Sequence, residues 1–157
     1  MRDRAQLGMA MFLISEGVFF FLLLLAFVYF RAPGSNLSLG EGATGTVLLA
    51  ASSFSMWRAA KGSRLLLWVT MALGGAFLAL ELSQYVRLIR DGITMSQGLF
   101  GTTFFTLTGV HALHVFAGII ALAILPSAAL RVMALYWHFF VVLWLAIFLV
   151  AFVWGGA

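Results

Sequence analysis

The chain has 157 residues, of which 64% are hydrophobic and only 9% are charged. A soluble domain typically carries about 25% charged residues, because a small body exposes a large share of its surface. The composition therefore excludes a water-soluble globular protein and predicts that most of the chain lies in lipid. The absence of cysteine excludes disulfide frameworks, zinc ribbons, iron–sulfur clusters and thiol nucleophiles. The net charge of +4 forms no basic stripe, so we expect no nucleic acid partner.

Apolar runs between charges predict five membrane-spanning helices in a single domain, residues 1–157. A helix needs about 20 apolar residues to cross a hydrocarbon core that is roughly 30 Å thick. The second run has only 16 uncharged residues between Glu41 and Arg58, so it must use polar flanks or let Arg58 reach the surface. The predicted fold class is all-α, a polytopic bundle with five spans at about 6–30, 42–60, 65–86, 97–126 and 133–155.

The distribution of basic residues predicts the orientation of these spans. Six lie on the side of the N-terminus and of the second and fourth loops: Arg2, Arg4, Arg58, Lys61, Arg64 and Arg131. Three lie on the other side: Arg31, Arg87 and Arg90. The positive-inside rule therefore predicts a cytoplasmic N-terminus and a C-terminus outside. Aromatic residues near the span ends are expected to form belts at the membrane surfaces: Trp57, Trp68, Tyr85, Tyr136, Trp137 and Trp154.

Acidic side chains inside the spans are informative, because an ionisable group facing lipid costs at least about 2.5 kcal/mol. Glu16 lies about 15 Å into the first span, near the bilayer middle. It predicts either a proton-exchanging or lipid-contacting carboxyl, or a neutral group that only joins neighbouring helices. Glu81, Gln84 and Tyr85 share one face of the third span and favour a polar seam between helices.

All three histidines also lie inside predicted spans. Thr108, His111 and His114 share one face of the fourth span, since residues three apart are neighbours on a helix. Two interpretations are open: ligation of a metal or haem, or hydrogen bonds between helices. His138 stands alone early in the fifth span and favours an interhelical hydrogen bond. No span carries a serine, a histidine and an acid at one depth, so the residues by themselves predict no catalytic centre.

Three segments that carry these polar groups form a pattern in chain order. They read Gly8-Met-Ala-Met-Phe-Leu-Ile-Ser-Glu16-Gly-Val-Phe-Phe20, Gly101-Thr-Thr-Phe-Phe-Thr-Leu-Thr-Gly-Val-His111-Ala-Leu-His114-Val115 and Tyr136-Trp-His-Phe-Phe-Val-Val-Leu-Trp144. Together they resemble the helix motifs of subunit III of the haem–copper oxidases, in its five-helix bacterial form. Two positions depart from those motifs: Ala112 replaces a glycine, and Val141 replaces an aspartate.

The resemblance implies a subunit without redox centres in a respiratory oxidase, which reduces oxygen to water and pumps protons. Such a chain has no catalytic residues of its own and works as part of a cytochrome c oxidase-type oxidoreductase and proton translocase. It implies haem and copper only in partner subunits, with no metal or cofactor on this chain apart from phospholipid. The implied partners are subunits I and II, in the bacterial cytoplasmic (inner) membrane. Glu16 corresponds to the family's buried, carbodiimide-reactive carboxyl, and the histidine motif packs near it.

Other functions remain as alternatives to an oxidase subunit. One is an accessory subunit of nitric oxide reductase, which shares this fold. Another is a b-type haem electron carrier that uses His111 or His114 together with His138. A small proton-coupled transporter is disfavoured, because the sequence shows no internal repeats.

Overall fold

The computed structural model describes residues 2–30, 37–96 and 98–154, and helices make up most of these ranges. A short 3-10 turn, Ser127–Ala129, precedes the last α-helix, which continues as a π-helix over Leu149–Trp154. The predicted all-α class is confirmed. The five long α-helices are α1 Arg2–Tyr29, α2 Leu39–Ala59, α3 Arg64–Arg90, α4 Leu99–Ile124 and α5 Leu130–Phe148.

Four helical segments within the described residues are long and apolar enough to cross a membrane. α2 is not one of them: it is shorter and carries Glu41, Arg58 and several hydroxyl side chains. Membrane crossing by α2 therefore stays a prediction, as does the orientation of the bundle. The four segments are Arg4–Tyr29, Arg64–Arg90, Leu99–Ile124 and Leu130–Trp154.

α1, α2, α3 and α5 begin before the predicted starts of their spans, and α3 also ends later than predicted. α3 continues from the predicted limit at residue 86 to Arg90. The backbone hydrogen bonds of a helix can continue beyond the apolar residues that would lie in the hydrocarbon core. α4 stops at Ile124, just before Pro126, which cannot continue a helix. The predicted limits at residues 97 and 155, and Arg31, lie outside the described residues.

α5 is central to the packing of the bundle. It contacts α1, α2 and α4, while α3 packs between α2 and α4. The core is rich in aromatic side chains, including the fully buried Phe20, Phe77 and Phe104. α1 covers α4 and α5 and leaves most of its apolar side chains exposed, as expected for a helix that faces lipid or a partner chain.

Two aromatic residues expected at the membrane surface lie in the core instead. Tyr136 and Trp137 are only 8% and 2% exposed, so their assignment to an aromatic belt is wrong. Glycines on two helices make room for the Trp137 indole: a Cβ at Gly74 would lie 2.9 Å from it, and one at Gly118 would lie 3.1 Å from it. Trp57, Trp68 and Trp154 are exposed, as a belt requires.

Candidate functional site

The contact between Glu16 of α1 and His114 of α4 joins an acid and a base in the middle of the bundle. Glu16 Oε2 lies 3.4 Å from His114 Nε2, and both side chains are 19% exposed. Oε2 is buried and accepts no hydrogen bond within the described residues. A distance of 3.4 Å is longer than a normal hydrogen bond, so the two groups are in contact without a formed bond.

The other ring nitrogen of His114 fixes what Nε2 can do. Nδ1 lies 2.8 Å from the carbonyl oxygen of Val110, one turn earlier on α4. A carbonyl oxygen can only accept, so Nδ1 carries a proton and donates it. In the neutral ring, Nε2 therefore presents its lone pair towards Glu16. One proton on either Glu16 or Nε2 would complete a charge-assisted or neutral hydrogen bond between them.

Aromatic packing holds the His114 ring in this position. The Phe140 ring stacks on it with ring centroids 4.5 Å apart, and the edge of Phe20 approaches at 5.6 Å. The hydroxyl of Tyr136 donates to the backbone carbonyl of His114 at 2.8 Å. Residues from α1, α4 and α5 thus fix the imidazole in the bundle interior.

His111 faces the α5 backbone, although it shares a helix face with His114. Its Nε2 donates to the carbonyl oxygen of Phe140 at 2.9 Å, and the residue is fully buried. Nδ1 is buried and has no hydrogen-bond partner among the described residues. The rings of Phe77 and Trp144 lie against the imidazole, with centroids 5.7 and 5.3 Å away. His111 therefore joins α4 to α5.

His138 belongs to a different interface. Its Nδ1 lies 2.6 Å from the Ser53 hydroxyl, across the α2–α5 contact. The structure thus brings Glu16 and His114 together and leaves His111 and His138 in separate contacts. The alternative of a haem held by His138 together with His111 or His114 would have to draw its two ligands from separate interfaces.

Thr108 joins the polar cluster of α3 rather than the histidines. Its hydroxyl donates to the carbonyl of Phe104 at 2.9 Å, so the Tyr85 hydroxyl donates to Thr108 Oγ1 at 2.7 Å. Glu81 and Gln84 are buried nearby on α3. Glu81 Oε1 and Gln84 Nε2 have no partner within the described residues. The Tyr85–Thr108 bond joins α3 to α4, and a wider polar seam that includes Glu81 and Gln84 stays a prediction.

Sequence reasoning missed several hydroxyl contacts that join helices. Trp137 Nε1 donates to Ser52 at 3.0 Å, and Trp144 Nε1 donates to Thr46 at 3.1 Å. Serine and threonine are common in helices, where their hydroxyls bond the backbone of the same helix. Their presence in the sequence therefore does not predict a contact with another helix. The position of Ser52 and Thr46 on the α2 stripe that faces α5 is what distinguishes them.

The described residues contain no group of three or more histidine, aspartate or glutamate side chains placed to hold a metal ion. The geometry instead offers one carboxyl and one imidazole that can hold a proton between them, enclosed by aromatic rings. An arrangement of this kind can store or exchange a proton, or simply join helices.

Comparison with known proteins gives matches over most of the chain. The family model for cytochrome c oxidase subunit III matches residues 43–156. Cytochrome c oxidase subunit 3 of Corynebacterium diphtheriae is 30% identical, with 94% of this chain and 86% of that protein covered. Cytochrome bo(3) ubiquinol oxidase subunit 3 of Buchnera aphidicola is 28% identical, covering 94% and 93%. The Pseudomonas aeruginosa protein of the same name is 32% identical over 65% of this chain. The matched segment spans about half of that relative, 55% of its length.

Proposed function

The chain belongs to the cytochrome c oxidase subunit III family, and we propose that it supports the catalytic subunit of a respiratory haem–copper oxidase without carrying a redox centre itself. The family predicted from the three helix motifs is confirmed. In this proposal, the partner subunits hold haem and copper, reduce oxygen to water and pump protons. This chain binds them and phospholipid in the bacterial inner membrane, and it helps to sustain proton uptake.

The observation that carries the proposal is the contact between Glu16 and His114. A carboxyl and an imidazole 3.4 Å apart can hold one proton in two positions. An ionisable group near the bilayer middle raises the free energy of the folded chain unless it has a partner, and such groups often have a function. This supports a role in which the pair keeps a proton available beside the catalytic subunit.

The exterior of the bundle supports a role within a complex. Large apolar side chains are exposed along α1, among them Met11, Ile14 and Leu22. The carboxyl of Glu16 interrupts this apolar helix at its middle. A partner helix or lipid must cover these side chains in the membrane, and subunit I is the partner we propose.

Purification of the chain through an affinity tag, from gently solubilised membranes, tests the proposal. We expect a haem–copper catalytic subunit to co-purify, and we expect the chain to show no Soret band once it is separated from its partners. A red isolated chain would instead indicate a b-type haem carrier. Recovery of the chain alone, without an oxygen-reducing partner, would contradict the proposal.

Replacement of Glu16 by glutamine tests the role of the carboxyl. Glutamine has nearly the same shape but cannot exchange a proton with His114. We expect Glu16→Gln to leave assembly intact and to shorten severalfold the time for which the oxidase stays active during continuous turnover. Oxygen consumption, followed until activity is lost, measures this time.

Glu81→Gln is the matched control, since it neutralises another buried acid that does not contact His114. It should leave the active lifetime unchanged. Loss of the whole complex in Glu16→Gln would show that the carboxyl is structural instead. An equal loss of active lifetime in both variants would contradict a specific role for the contact between Glu16 and His114.

A further inference from the structure

His111 holds its ring proton in one place. Its Nε2 lies 2.9 Å from the carbonyl oxygen of Phe140, and a carbonyl oxygen only accepts, so Nε2 carries the proton. Nδ1 is buried and has no hydrogen-bond partner among the described residues. A second proton on the ring would place a charged N–H at that position, away from water and without an acceptor on those residues. His111 is therefore placed to donate one fixed hydrogen bond rather than to exchange protons.

Phe140 links His111 to His114. Its backbone carbonyl accepts the bond from His111, and its ring stacks on the imidazole of His114 with centroids 4.5 Å apart and an interplanar angle of 18°. Phe140 is only 2% exposed, so its ring has little room to move by itself. Because the carbonyl and the ring belong to one residue, the bond from α4 fixes where α5 presents that ring. The two histidines are thus coupled, although they bond different groups.

The gap between Glu16 and His114 depends on the placement of this ring. Glu16 Oε2 and His114 Nε2 are 3.4 Å apart, slightly beyond the normal hydrogen-bond range of about 2.7–3.2 Å. The bond from His114 Nδ1 to Val110 stays within α4, so it fixes the tautomer but not the distance to α1. The rings of Phe140 and Phe20 hold the imidazole from outside α4. A small movement of α5 at Phe140 would therefore open or close the contact with Glu16.

We propose that His111 is a positioning residue that acts on His114 through Phe140. By holding the Phe140 carbonyl, it keeps the ring of that residue against His114 and so sets the separation within the Glu16–His114 pair. His111 itself takes no proton from the pair. This role deepens the proposed function and rests on it, because the pair is the group that the function uses. The two histidines then have different tasks, although their spacing alone would allow both to carry protons or to bind one ligand.

Two substitutions of His111 separate positioning from proton exchange. The amide of glutamine can offer an N–H donor to the Phe140 carbonyl but cannot exchange a proton as an imidazole does, whereas leucine is apolar and offers no donor. The probe is dicyclohexylcarbodiimide, a lipid-soluble reagent for carboxyls, and mass spectrometry of the purified complex measures how fast it modifies Glu16. We expect His111→Leu to raise that rate severalfold, because a displaced His114 leaves the carboxyl open to the reagent. His111→Gln should react as the unmodified protein does.

Further variants test the route through Phe140. Phe140→Leu keeps the backbone carbonyl but removes the stacked ring, so it should raise the rate about as much as His111→Leu does. Because both changes act at one contact, the double variant should react no faster than either single variant. His138→Leu is the matched control, since it removes a histidine that contacts Ser53 in another interface, and it should leave the rate unchanged.

Several results would overturn the proposal: an unchanged rate in His111→Leu, an equal rise in His111→Gln or His138→Leu, or additive effects in the double variant. If His111→Leu does not assemble, an unchanged rate in His111→Gln together with a raised rate in Phe140→Leu supports the proposal, and any other pair of results overturns it. The modification rate is measured on this chain whichever subunits accompany it. Absence of a haem–copper subunit from the complex would therefore contradict the proposed function and not the positioning role.

Discussion

The hydroxyl of Ser52 satisfies the indole N–H of Trp137 at a point where no water can reach. Ser52 and Trp137 are 0% and 2% exposed, and the N–H donates to the hydroxyl oxygen at 3.0 Å. The hydroxyl in turn donates to the carbonyl of Leu49 at 2.7 Å. Ser52 therefore bridges α5 and its own helix, and without it the indole donor would be buried without a partner.

We expect Ser52→Ala to destabilise the bundle by about 1–2 kcal/mol, because a buried donor without an acceptor keeps its desolvation cost. The thermal midpoint of the purified complex in detergent measures this loss. Ser83→Ala is the matched control, since Ser83 is exposed and its hydroxyl bonds only Leu80 on its own helix. An equal fall in both variants would indicate that the bond to Trp137 contributes nothing.

At the scale of single residues, the sequence predicts which polar groups lie in spans but not their partners. Glu16, His111 and His114 are conspicuous because charge and imidazole are rare among apolar residues. Their partners depend on how each helix is rotated about its axis. A rotation that aims His111 at the α5 backbone also aims His114 at α1, and residues that share one face can therefore make different contacts. The pairing of Thr108 with Tyr85, across to α3, depends on the same rotation.

At the scale of the helices, adjacent glycines on α3 have different surroundings. A Cβ at Gly74 would lie 2.9 Å from the indole of Trp137, whereas a Cβ at Gly75 would meet nothing within 4 Å. Gly74 lies on the buried face of α3, where the helix approaches α5 side chains closely. Small residues at such contacts allow membrane helices to pack tightly.

We expect Gly74→Ala to lower the stability of the bundle by about 1–3 kcal/mol, because the added methyl group would press on the Trp137 ring and disturb the packing of α3 against α5. Gly75→Ala should be neutral or stabilising by up to about 1 kcal/mol, since alanine favours helix and the space is open. Unfolding of the two variants in a detergent titration measures the difference. Similar midpoints for the two variants would mean that Trp137 repacks freely.

The sequence predicts the number of helices and their class better than their local geometry. The apolar runs predict the helices, because a segment inside a membrane must satisfy the hydrogen bonds of its own backbone. They do not predict the π-helix at Leu149–Trp154. The rings of Phe148 and Phe152 lie there with centroids 5.9 Å apart, and both rings pack against Gly42 of α2. This contact joins segments that are far apart in the sequence, and the spacing of apolar residues does not predict it.

At the scale of the whole molecule, charge differs between the two ends of the bundle. The end where α3 and α5 begin carries Arg58, Lys61 and Arg64 without acidic partners among the described side chains. At the opposite end, Glu41 of α2 pairs with Arg87 of α3, which reduces the unpaired charge there. The number of basic residues at each end therefore predicts that the first end faces the cytoplasm.

Labelling of single cysteines tests this orientation directly, because the chain has no cysteine of its own. Ala128 and Asp91 are exposed at opposite ends, and their replacement removes no basic residue. In intact cells, a membrane-impermeant maleimide should label Asp91→Cys and should label Ala128→Cys only after the membrane is opened. The reverse pattern would show an inverted bundle. Labelling of both positions in intact cells would mean that the segments between them do not cross the membrane as predicted.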